Sequence, residues 1–194
     1  MNVISTLFSV LGLSTAAGLN AYVPLLVIGT LGRYAPQIVD LNGPFEILSN
    51  PWMLIVIGLL AILDFVGDKI PAIDSAVHAV GLFLNPIAGA IVALAANSQA
   101  GSVSPILVGI CGLIVAGGVH SARAAVRPLA TATTAGIGNP VLSFIEDITA
   151  VVLSVLAVLL PILAFLLVLV FAAAVIWLLR VMRQGRWAAR AERR

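Results

Sequence analysis

Residues 3–32 read VISTLFSVLGLSTAAGLNAYVPLLVIGTLG, thirty positions without a charged side chain. As one helix they would run to roughly 45 Å at about 1.5 Å per residue, against a hydrocarbon core of about 30 Å. A single straight crossing does not need that length. Gly12, Gly18, Asn20 and Pro24 stand inside the stretch, and proline removes one backbone donor, so a break or kink is expected near 18–24. Broken backbone at membrane depth persists only where protein or a water-filled cavity covers it.

Composition supports the same reading for the whole chain. Its 194 residues are 61% hydrophobic and 9% charged, with mean hydropathy +1.17; soluble domains run about 45–50% apolar and about 25% charged. A water-soluble single domain is excluded. Seven of the charged residues crowd into positions 180–194 and give that end a net charge of +5, which leaves the body at −3. The pI of 9.2 therefore describes a tail and not a basic face for nucleic acid. No Lys or Arg precedes the first apolar run, so it reads as a retained membrane segment and not a cleaved signal. Cys111, the only cysteine, lies in an apolar run and can form neither an intrachain disulfide nor a cysteine metal cluster.

The remaining segments follow from prolines and charge gaps. Residues 33–50 hold two acids, two prolines and polar residues and read as an extramembrane loop. Pro51 suits the first turn of a helix over 51–67. A helix over 75–97 contains Asn85-Pro86, a loop covers 97–104, and a fourth segment covers 105–127. Thr131 to Pro140 is polar and glycine-rich and reads as a connector, with a re-entrant course as one option. Residues 148–179 form a second uncharged run of 32 positions, divided by Pro161 into pieces over 140–160 and 161–183. The expected fold class is all-α: a polytopic transmembrane helix bundle of about six hydrophobic helices, or five, some broken or re-entrant. Residues 1–184 form one transmembrane domain, and 185–194 a basic tail. Arginines close to the last span place the C-terminus on the cytoplasmic side of the cell membrane.

Two windows echo each other at an offset of 42: Val77-His78 with Pro86-Ile87-Ala88, and Val119-His120 with Pro128-Leu129-Ala130. A weaker echo at offset 104 sets Ala21 and Pro24 against Ala125 and Pro128. Many transporters are built from repeats whose discontinuous helices meet near the midplane at the substrate site. Interruptions at 18–24, 85–86 and 136–140 fit that plan, and equally a structural bundle with kinks.

Ionisable residues inside membrane helices cost at least about 2.5–3.5 kcal/mol at the centre, so they face partners or polar cavities. Asp64 and Asp68 share one helical stripe, as do Asp74 and His78, and as do His120, Arg123 and Arg127. Lys69 adjoins the first of these stripes. Glu146 and Asp147 point about 100° apart. In the sharper reading Arg123 and Arg127 meet Asp64, Asp68 or Glu146 across the bundle, forming a polar centre for an ion or an anionic head group. In the plainer reading these groups mark helix ends at the two surfaces. His78 and His120 lack metal-ligand spacing, so neither metal nor cofactor is expected. Asn20, Tyr22 and Asn139 offer amide or hydroxyl groups for a ligand or for capping broken helices. Ser14 and Gly18 form a pair of small residues that admits a close helix approach. No hydrolase, phosphate-loop or zinc-protease motif occurs, and no enzyme activity is expected.

Four motifs together carry a family resemblance: Gly12 to Pro24, Asp68-Lys69-Ile-Pro71-Ala-Ile-Asp74-Ser75 with His78, His120 to Arg127, and Asn139 to Asp147. In these the chain resembles a widespread bacterial integral-membrane family catalogued only as a domain of unknown function. The resemblance implies a compact polytopic bundle. It would map a polar site to Asn20, Asp68, Lys69, Asp74, Arg123, Arg127, Asn139, Glu146 and Asp147, and it brings no substrate or reaction.

The leading expectation is a small transporter-like protein, or one that binds a lipid or small molecule, with the bilayer and a lipid or small anionic ligand as partners. The alternative is a non-catalytic accessory or scaffold subunit of a larger membrane complex or homo-oligomer. The wholly apolar helix from Ile162 motivates this second option.

Overall fold

A computed structural model describes residues 3–98, 103–134 and 138–191, with the side chains of 71–76, 129, 130, 133, 175, 178, 179 and 181–191 excepted. The described residues form seven α-helices and one 3₁₀ turn, with no strand. In chain order they are α1 (Val3–Leu19), α2 (Tyr22–Tyr34), the 3₁₀ turn (Gly43–Ser49), α3 (Pro51–Gly67), α4 (Pro71–Ser98), α5 (Pro105–Thr134), α6 (Gly138–Leu159) and α7 (Pro161–Ala191).

Helix starts follow local chemistry. Pro51 opens α3 where its missing N–H costs nothing, and the Asn50 side chain accepts the Trp52 N–H at 2.9 Å. Pro161 opens α7 in the same way, directly after α6 ends at Leu159. The long first stretch breaks at Asn20, so 3–32 is two helices, with Pro24 harmlessly in the first turn of α2.

The other two expected interruptions behave differently. Asn85-Pro86 lies inside a continuous α4. Gly117 of α5 leaves room for the Pro86 ring, since a Cβ there would stand 3.3 Å from Pro86 Cγ. The expected connector at 131–140 is mostly helical: α5 passes Pro128 and runs to Thr134, and α6 begins at Gly138. Side-chain hydroxyls support these ends. Thr131 Oγ1 donates to the Arg127 carbonyl at 3.1 Å, and Thr134 Oγ1 accepts the Gly138 N–H at 2.9 Å. Residues 135–137, 99–102 and 192–194 lie outside the described residues, as do the side chains of the tail arginines from Arg183 onward.

α1 is the central helix and touches α4, α5, α6 and α7. From Gly12 to Leu19 every residue is buried. Small residues make this possible. A Cβ on Gly18 would fall 2.5 Å from Val119 Cβ and 2.7 Å from the Ala116 carbonyl, and one on Gly12 would fall 2.7 Å from Ala157 Cβ. Ser14, Ala16, Ala17, Ala93 and Ala116 fill the same layers. Without a hydrophobic drive between helices in lipid, such close packing carries much of the association.

The outside is apolar. On α3, Trp52, Ile55, Leu59, Ile62 and Leu63 are exposed, and on α7, Ile162, Leu166, Val170 and Trp177 are. Three described helices are long and apolar enough to cross a membrane: Val77–Ser98, Pro105–Pro128 and Gly138–Leu159. The bent pair Gly43–Ser49 and Pro51–Gly67, turned by 65°, makes a fourth if it counts as one span. Val3–Leu19 and Pro161–Ala174 are apolar but shorter. An all-helical fold of this kind is consistent with a multi-pass membrane protein; the expected six crossings are more than the helices establish by length and composition.

Candidate functional site

The break between α1 and α2 organises the polar residues. A helix end leaves carbonyls and N–H groups without intrahelical partners. Here the Gly18 carbonyl accepts the Asn85 amide at 3.0 Å, and the Leu19 carbonyl accepts the Arg123 guanidinium at 2.6 Å. On the other side of the break, Asn20 Oδ1 accepts the Tyr22 and Val23 N–H groups at 3.0 and 3.2 Å. A cation at the C-terminus of α1 also suits the negative end of the helix dipole.

Arg123 and Arg127, one turn apart on α5, face the acids as their shared stripe predicts. Arg123 lies 2.5 Å from Glu146 Oε2 and 2.7 Å from Asp68 Oδ2. Arg127 reaches the same two oxygens at 3.1 and 3.4 Å and accepts no proton in return, being a pure donor. The Asp68 side chain is only 2% exposed. Its Oδ2 also accepts the Ser143 hydroxyl at 2.7 Å, while Ser143 Oγ accepts from Arg127 at 2.8 Å. Two guanidinium groups, two carboxylates and one hydroxyl thus form one connected network. Both arginines take part in it.

A second group borders the first. Asn20 Nδ2 donates to Asp64 at 3.1 Å and to Asp147 at 3.0 Å. Lys69 stands 3.6 Å from Asp147, donates to the Phe65 carbonyl at 2.9 Å, and lies 3.3 Å from the centroid of the Phe65 ring. Among the described residues the cluster therefore holds four acids, Asp64, Asp68, Glu146 and Asp147, against three bases, Lys69, Arg123 and Arg127. Each base has an acid at ion-pair distance, whereas Asp64 has only the Asn20 amide.

Three cavities open on this cluster. One of about 400 Å³ lies among α2, α3 and α4 and reaches Asp64, Tyr22 and Asn85. Another of about 280 Å³ lies among α5, α6 and α7 and reaches Arg123 and Glu146. The third, about 590 Å³ among α2, α3 and α6, reaches Asn20 and Asp147. The walls of all three are otherwise almost wholly apolar.

The structure thus brings together Asn20, Asp64, Asp68, Lys69, Arg123, Arg127, Glu146 and Asp147. Tyr22 lines the first cavity beside Asp64. His78 and His120 pair with each other, rings 5.9 Å apart, and no group of three metal-ligating side chains occurs among the described residues. Asn139 stands apart and bonds Thr131 at 2.9 Å. The side chain of Asp74 lies outside the described residues. Ser143 was missed as a site residue. Its placement one turn before Asp147 and three residues before Glu146 on α6 was the available signal.

The chain matches, over residues 7–181, the family model described as a domain of unknown function (DUF4126). No curated protein and no solved structure matches.

Proposed function

The chain belongs to that family, and from its geometry we propose that it is a transporter-like integral membrane protein that holds a lipid or small amphipathic molecule against the polar centre. One observation carries this reading: three apolar cavities converge on one charged cluster at a protein-covered helix break. An apolar pocket with a few convergent polar groups is the usual form of a small-molecule site. Discontinuous helices at such a site are typical of secondary transporters. The arginine-rich tail orients the C-terminus toward the cytoplasm in this reading.

Native mass spectrometry of protein extracted in mild detergent tests it. The expected spectrum carries a defined lipid or small-molecule adduct, which disappears when Val126→Trp and Ile148→Trp fill the second and third cavities. A bare protein mass in every preparation overturns the reading. A stoichiometric foreign subunit without any adduct also overturns it, in favour of the accessory-subunit alternative.

A further inference from the structure

We infer that the cavity among α2, α3 and α4 is a site for an organic cation, an ammonium group on a compact apolar body, with the Asp64 carboxylate as its counter-ion. This rests on the small-molecule reading above and names the chemical class that one of the cavities accepts.

The argument begins with charge. A carboxylate removed from water without a partner is expensive. Within the cluster Arg123 and Arg127 are shared between Asp68 and Glu146, and Lys69 goes to Asp147. Among the described acids of the cluster, Asp64 is the one left over, with the Asn20 amide as its hydrogen-bond partner at 3.1 Å. That amide is itself shared with Asp147. The carboxyl group with no base at ion-pair distance lies at the wall of the cavity, where an incoming cation would supply the missing partner.

Shape and ligand count then separate an organic cation from a metal ion. Calcium takes six to eight oxygen ligands, and magnesium demands a near-ideal octahedron. The polar residues lining the cavity include Asp64, Tyr22 and Asn85, and the apolar ones Leu60, Val80 and Leu84. The Asn85 nitrogen is already spent on the Gly18 carbonyl. Its oxygen lies toward Gly81, which lines the same cavity: a Cβ on Gly81 would stand 3.2 Å from Asn85 Oδ1. Three acceptor-bearing side chains around a cavity of about 400 Å³ are too few for a bare metal ion. They match the three donors of an ammonium group whose apolar body packs on leucine and valine.

The test uses three probes with one cage: 1-adamantylammonium, 1-adamantanol and adamantane-1-carboxylate. Each is titrated calorimetrically into the full chain in a neutral detergent, with detergent alone as blank. The ammonium should bind about tenfold tighter than the alcohol, the worth of one charge-assisted hydrogen bond, and the carboxylate weakest. Asp64→Asn, which keeps shape and the neighbouring amide, should bring ammonium and alcohol to equal affinity while leaving the melting temperature within a few degrees. Leu60→Trp, on the rim of the cavity, should weaken both probes together. If the alcohol binds as well as the ammonium to wild type, or if Asp64→Asn retains the preference, the cation assignment is overturned while the small-molecule reading stands. If none of the probes binds above the blank, this cavity is not the site, and the adduct experiment decides the broader reading separately.

Discussion

Replacing Arg123 by alanine takes a partner from two acids and from the open end of α1 at once. The side chain makes ion pairs to Glu146 and Asp68 at 2.5 and 2.7 Å and serves the Leu19 carbonyl at 2.6 Å. The Arg123 side chain is 6% exposed and that of Asp68 2%, so Asp68 cannot turn to bulk water in its place. Breaking a buried pair by deleting one member costs about 3–5 kcal/mol, because the other charge stays behind uncompensated. An orphaned carbonyl adds about 1–3 kcal/mol. These contributions share atoms and do not add fully, so about 3–5 kcal/mol is the expected loss. For a chain of this size that corresponds to a fall in the unfolding midpoint of roughly 6–20 °C. Thermal unfolding in mild detergent reads it directly. Arg123→Lys keeps the charge but lacks the fork that reaches three directions, and should fall between wild type and alanine. Combining Arg123→Ala with Asp68→Asn should cost less than the two single changes together, since Asp68 then has no charge to strand. A loss below about 1 kcal/mol for Arg123→Ala, or strict additivity in the double variant, would refute the charged network as the support of the helix break.

Other substitutions test separate parts of the structure. Asn20→Ala should lower stability by about 2 kcal/mol through loss of the α2 cap. Asn20→Asp should do worse at neutral pH despite keeping the cap acceptor, because it sets a third carboxylate against Asp64 and Asp147; equal melting of the two variants would show that the amide bridge is unimportant. Gly18→Val should cost at least about 1–3 kcal/mol from the clash with Val119 and Ala116, measured as loss of folded protein on size exclusion. Gly58→Ala meets nothing within 4 Å and should be neutral or stabilise by about 0.5–1 kcal/mol in the same assay. Ser143→Ala should leave Asp68 and Arg127 each one hydrogen bond short and lower the unfolding midpoint by a few degrees, and an unchanged midpoint would remove Ser143 from the network.

Much of the architecture was legible in the chain because its causes are local. Transfer free energy and the scarcity of charge assign the apolar segments to a membrane protein wherever they pack. Pro51 and Pro161 open helices because a missing N–H matters only to the residues beside it, and Asn20 ends α1 for similarly near reasons. Sequence spacing also put Arg123 and Arg127 on one face, since helix periodicity is fixed by backbone geometry.

Local rules failed where a distant neighbour decided the outcome. Pro86 leaves α4 continuous, packed against Gly117 of α5. The partner of each charge belongs to the same class. Asn20 finds Asp147 across 127 positions, and Arg123 finds Leu19 across 104, and no periodicity within either segment encodes that meeting. The sequence by itself determined that this protein is helical, apolar and broken near Asn20, because solvent transfer and backbone sterics act over a few residues. Only the tertiary structure decided that, among the described acids of the polar cluster, Asp64 is the one with no base at ion-pair distance and that it borders a cavity. Pairing and empty space are properties of how helices pack, and a helix carries no record of its neighbours.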